Sequence, residues 1–158
     1  MNTHDHAPRA RGLPIEVGHV TKKYGSEVVV DDLSFIAQPG RVTGFLGPNG
    51  SGKSTTMKVL LDLAAADNGT ATIGGVRYRD LPDPAGTVGV VLEPNAFHPA
   101  RSGRNHLQIL ALAADQPFER VDETLAAVGL QPGAARRRVG TYSLGMKQRL
   151  SLAAALLS

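Results

Sequence analysis

Apolar and polar positions alternate from Ile15 to Tyr24 in IEVGHVTKKY, the period-two pattern of a half-buried strand, and EVVVDDLSFIAQPG carries a second strand to a turn at Pro39-Gly40. Arg41 to Gly47 is a short apolar run bounded by glycine and predicts a third strand. Met57, Leu60, Leu61 and Ala64 then recur at helical spacing and predict a helix over Gly52 to Leu63. GTATIGG and TVGVVLE read as two further strands, the second of the fully buried kind through Val88, Val90, Val91 and Leu92. From about Ser102 the period changes. Helices are predicted over Arg104 to Ala114 and over Val121 to Val128, the latter closed by Gly129, and Ser143 stands at the N-cap of LGMKQRLSLAAALL. Strands therefore come first and helices follow, without an internal repeat or a low-complexity segment.

At 158 residues the chain suits one domain or part of one. Apolar runs such as Leu150 to Leu157 fall well short of the roughly 20 residues of a membrane span. With no cysteine, disulfides, thiol nucleophiles and thiolate metal sites are excluded. The opening MNTHDHAPRARGLP lacks the apolar centre of a secretory signal and predicts a polar, flexible tail over residues 1–14, with a cytoplasmic location; His4 and His6 belong to that tail rather than to a metal site. Net charge is only +3, and the Arg136, Arg137, Arg138 run has no interleaved aromatics, so it reads as solvated surface and no nucleic-acid partner is expected.

The chemistry concentrates in GPNGSGKS, Gly47 to Ser54, which fits the G-x-x-x-x-G-K-[ST] phosphate loop without a mismatch. Gly47, Gly50 and Gly52, with Pro48, Asn49 and Ser51 between them, let the backbone curl so that successive N–H groups face one concavity. The helix that follows adds its positive end. Lys53 reaches the outer phosphates, the Ser54 hydroxyl is a Mg²⁺ ligand and Thr55 is a further phosphate donor. Chance occurrence of the fixed positions is about one per cent on ordinary residue frequencies, and the strand-before, helix-after context lowers it further. Nucleotide binding is the reading; the loop alone leaves the reaction open.

YSLGMKQRLSLAAALL, from Tyr142, resembles the signature segment L-S-G-G-Q-x-Q-R of ATP-binding-cassette (ABC) proteins: Ser143, Gly145, Gln148 and Arg149 match, and Tyr142, Leu144 and Met146 depart. KKYG places Tyr24 where that family carries an aromatic that stacks on adenine, and VGVVLE lies where its strand leads into the glutamine loop, with Glu93 in place of Gln. The resemblance covers residues 15–158. It implies an α/β fold of the P-loop NTPase, ABC type: a small antiparallel β region, a nucleotide-binding core and a helical subdomain over about residues 99–143. It further implies ATP and Mg²⁺ as ligands, Ser54 and Glu93 on the metal, and Ser143, Gly145 and Gln148 turned to the ATP of an opposing cassette in a homodimer or heterodimer. A transmembrane permease is the expected partner, holding the protein at the inner face of the cell membrane. FHPARSGRNHL resembles the segment that meets a permease coupling helix in drug-exporter-type cassettes, and its His98 and His106 read as surface or helix-packing residues.

In a complete cassette the signature helix leads to a strand ending in a Mg²⁺-orienting Asp and a water-polarising Glu, with a switch histidine later. The sequence stops at Ser158, so the expectation is the N-terminal two-thirds of a cassette that binds ATP weakly and turns over little or none. Poor solubility is expected with it, from unpaired strand edges and an uncovered helix face on Leu150, Leu152, Leu156 and Leu157. Three alternatives share parts of the pattern: a non-transport ABC ATPase, another phosphate-loop class such as a kinase or GTPase, and a short nucleotide-binding module without turnover.

Overall fold

A computed structural model describes residues 12–92 and 97–157, and the chain divides into two compact units at Pro82 and Asp83. The first unit opens with the antiparallel hairpin β1 (Ile15–Tyr24) and β2 (Glu27–Ala37), followed by α1 (Lys53–Leu60) and β3 (Asn68–Ile73). The sheet order is β2-β1-β3, with Ile15 opposite Ala37 on one side and Ile73 on the other. Val17 and Val20 of β1 and Val30 of β2 are buried with Val59 of α1, so the helix covers the apolar face that the alternation creates. Irregular register between Val17 and Val20 accompanies a left-handed backbone at His19 (φ 53°). Its carbonyl lies so close to Gly69 that a Cβ there would collide.

α1 ends three residues before the periodicity predicts. Asp62 turns left-handed (φ 54°), and the N–H groups of Asp62 and Leu63 donate to the Val59 and Lys58 carbonyls, a Schellman-type stop with Asp where Gly is usual. The Asp62 carboxylate accepts from Arg77 at 2.6 Å and Arg79 at 2.8 Å. Burial pushes this carboxyl up, but the bonds from Arg79 and then Arg77 more than reverse that and hold it below the ordinary value.

Two predicted strands are absent from the ladders. Arg41 to Gly47 is irregular, with Val42 and Leu46 almost fully exposed, although Phe45 stacks on Phe35 at 5.1 Å. In TVGVVLE, Thr87 belongs to a helical turn and Val88 to Leu92 is likewise irregular, and Val90, Val91 and Leu92 are exposed rather than buried. A strand needs a neighbour for its N–H and C=O groups. Among the described residues neither segment has one.

The second unit is helical: α2 (Pro84–Thr87), α3 (Gly103–Ala113), α4 (Glu119–Ala127), α5 (Pro132–Ala135) and α6 (Leu144–Leu156). Leu107 and Ala111 of α3, Val121 and Leu125 of α4, and Leu150, Ala153 and Leu157 of the α6 segment close one core. Leu150 and Leu157 are therefore buried, contrary to the expected uncovered face; they sit seven apart on the side of α6 that meets α3 and α4. Leu152 and Leu156, on the other side, are about half exposed. Gly129 (φ 68°) ends α4 as predicted, with Leu130 N–H donating to Leu125 carbonyl.

Candidate nucleotide-binding site

The loop after Leu46 is shaped by backbone constraints at its glycines. Gly50 (φ 85°) and Gly52 (φ 81°) are left-handed, and a Cβ on Gly52 would strike the Val29 carbonyl and Val30 of β2. Gly52 is the N-cap of α1 and has no side chain to cap it, which leaves first-turn amides to a ligand. Thr56 is buried and ties the turn: its N–H and its hydroxyl both donate to the Gly52 carbonyl, at 2.8 and 3.0 Å. Lys53 Nζ donates to the Gly47 and Pro48 carbonyls at 2.7 and 2.6 Å, so the amine lies along the loop. Val29, Asn49, Gly50, Gly52, Lys53, Ser54 and Thr55 line a concavity of about 220 Å³. Amides, hydroxyls and one ammonium around such a space fit a polyphosphate.

Tyr24 ends β1 in the same unit, half exposed, and is not among the residues lining that concavity. The Lys22 ammonium lies over its ring, 5.2 Å from the centroid, and Lys22 Nζ is 3.4 Å from Asp67 Oδ2. Lys22 was legible as a neighbour two positions along the strand; Asp67 was not, because the fold alone brings it to β1. Glu93 lies outside the described residues, as do His4 and His6. Among the described residues no cluster of three or more His, Asp or Glu is placed to hold a metal.

In the second unit Ser143 is the N-cap of α6, and its hydroxyl accepts the Met146 N–H at 3.3 Å. Ser143, Gly145 and Gln148 are exposed on the first turns, with open space beside Gly145. Arg149 donates to the Gly129 carbonyl at 3.0 Å, anchoring the helix to the end of α4. Tyr142, where the signature pattern has Leu, is buried; its hydroxyl donates to the Ala134 carbonyl at 2.8 Å and stands where a Cβ on Gly103 would go. Sequence reasoning saw Tyr142 only as a departure. His106 packs edge-on against Phe97 at 4.9 Å, and its buried Nδ1 has no hydrogen-bond partner among the described residues. Burial, and then the Arg101 charge, push its pKa down and favour the neutral ring. Arg136, Arg137 and Arg138 are exposed.

Among curated proteins the chain is similar to the bacitracin transport ATP-binding protein BcrA of Enterococcus faecalis, 38% identical over 145 residues, covering 90% of this chain and 47% of that one. It is also similar to the Nod factor export ATP-binding protein I of Burkholderia thailandensis, 38% identical over 153 residues, covering 92% and 49%. The chain thus spans about half the length of the curated relatives it matches. Among solved structures, one described as the structure of an ATP binding subunit of an ABC transporter superposes with a TM-score of 0.70 at 24% identity, covering 90% of this chain and 62% of that one, a likeness of fold. The family model described as ABC transporter matches residues 30–158. A match of that extent, laid over a phosphate loop and a serine-capped helix already in place, makes the chain a member of the ABC transporter family.

Proposed function

We propose that this chain is the ATP-binding portion of an ABC transporter subunit that couples ATP binding and hydrolysis to export through a separate transmembrane permease. The observation that carries it is the cradle from Gly47 to Thr55, in which two left-handed glycines, the uncapped start of α1 and the Lys53 amine converge on one concavity. The amides and Lys53 hold the β- and γ-phosphates, and Thr55 adds a hydroxyl donor. The Ser54 hydroxyl would hold Mg²⁺, with Glu93 as the second ligand that the family resemblance implies, and the ion when bound neutralises charge shared between those phosphates. Tyr24 offers its ring face to adenine.

Ser143 and the amides at the start of α6 serve the ATP of a second cassette, so two copies, or this subunit and a homologue, are needed for turnover. No described residue takes the role of general base, and the 158-residue chain alone binds ATP with little or no hydrolysis. A groove of about 420 Å³, floored by Leu125, Leu130 and Ala135 and edged by Arg104 and Arg136, supports a permease contact on the second unit. No described helix is long and apolar enough to cross a membrane, so attachment to its inner face would come through that permease. The printed name of the Nod factor export relative supports the direction, and that of the bacitracin transport relative supports transport.

Calorimetric titration with Mg-ATP, with ATP in EDTA, and with Mg-tripolyphosphate tests this reading. Saturable binding of ATP that weakens in EDTA is expected. Failure to bind either triphosphate under any of these conditions refutes it.

A further inference from the structure

The two faces of the Tyr24 ring are unequal. One is covered by the Lys22 ammonium, 5.2 Å from the ring centroid, while the residue as a whole remains half exposed. Lys22 is not a free surface lysine: its side chain is only 14% exposed, and its Nζ is 3.4 Å from Asp67 Oδ2. That same oxygen accepts the Lys23 N–H at 2.6 Å, and the Asp67 N–H donates to the Thr21 carbonyl at 2.9 Å. Asp67, immediately before β3, is therefore fixed to the end of β1 by its backbone N–H and by its side-chain carboxylate. Its carboxylate fixes the ammonium, and the ammonium fixes the ring. The Lys23 N–H, with lesser help from the Lys22 and Lys23 charges, keeps the Asp67 carboxyl below its ordinary value against the opposing effect of burial, so the anchor stays ionised.

We infer that Lys22, held by Asp67, is a positioning residue for adenine: it backs one face of Tyr24 so that the other is presented to the base already ordered. The inference rests on the assignment of Tyr24 to adenine under Proposed function. A flexible aromatic at a strand end must be immobilised when a base stacks on it, and a ring held beforehand avoids that loss. The Lys22 charge is committed to Asp67 and the ring, so its contribution belongs to the base and not to the phosphates. Lys22 and Lys53 thus divide the nucleotide between them, one acting through Tyr24 and the other on the triphosphate.

The test compares Mg-ATP with inorganic Mg-tripolyphosphate on the full 158-residue chain. Lys22→Met, which keeps the stem and removes the charge, is expected to weaken ATP about 2- to 5-fold, the scale of an exposed cation–π contact, while tripolyphosphate affinity stays unchanged. Lys22→Arg restores a cation and should bind both ligands as the wild type does. Asp67→Asn should reproduce the split of Lys22→Met by a different route and keeps the inference testable if that variant folds poorly. Equal loss for both ligands, or no loss for ATP, overturns it. A wild-type chain that binds tripolyphosphate as tightly as ATP instead refutes the assignment of Tyr24, and the inference falls with it.

Discussion

Removing one oxygen from Tyr142 measures how firmly the second unit holds the segment that leads into α6. The ring is buried, and its hydroxyl donates to the Ala134 carbonyl at 2.8 Å while lying against Gly103 at the start of α3. Tyr142→Phe keeps the ring, so burial and cavity effects are nearly constant, and it deletes a group that joins α3, α5 and the approach to α6. One hydrogen bond at about 0.5–1.5 kcal/mol, with the Ala134 carbonyl left short of a partner, gives a loss of about 1–2 kcal/mol. At about 2–4 °C per kcal/mol for a chain of this size, the midpoint of thermal unfolding followed by far-ultraviolet circular dichroism should fall by roughly 2–8 °C. Tyr142→Leu, the residue of the family pattern, should cost more because it also removes ring volume. A midpoint within about 1 °C of wild type for Tyr142→Phe would refute the account, since the hydroxyl would then not be bridging these elements.

The corrected face of α6 gives a second contrast: Leu150→Ala should cost about 2–5 kcal/mol in urea unfolding, whereas Leu152→Ala should stay within about 0.5 kcal/mol. Equal effects would mean that α6 is turned the other way. His106 makes stability depend on pH. Its folded pKa lies below the ordinary 6.5, so below about that pH the unfolded chain takes up a proton that the folded chain refuses, and stability falls until pH passes the lower folded value. His106→Phe should flatten that part of the curve between pH 7 and 5; an unchanged slope would place the titrating group elsewhere.

How much was legible depended on whether a feature is local. The hairpin, the Gly129 stop, the Ser143 cap and the phosphate loop are set by residues a few positions apart, and each appears where the pattern places it. The end of α1 was missed because Asp62 takes a left-handed backbone beside Arg77 and Arg79, partners about fifteen residues away. Arg41 to Gly47 and Thr87 to Leu92 carry strand composition without forming strands, since composition supplies an apolar edge but not a neighbour to bond it. Leu150 and Leu157 were misplaced for a related reason: α6 is apolar on more than one side, so periodicity does not say which side α3 and α4 cover. At the candidate site, every residue lining the concavity except Val29 lies in the glycine motif or, as Thr55, directly after it. The Asp67–Lys22 support for Tyr24 needed the fold.

The central claim is that the loop from Gly47 to Thr55 holds a triphosphate through Lys53, and the most direct measurement is the dissociation constant of Mg-ATP for the wild type and Lys53→Ala. Charge-assisted bonds of about 1.5–3 kcal/mol predict an affinity roughly 10- to 100-fold weaker in the variant, with its thermal unfolding little changed because, among the described residues, Lys53 is bonded only to its own loop. Equal affinities for the two proteins would contradict the claim.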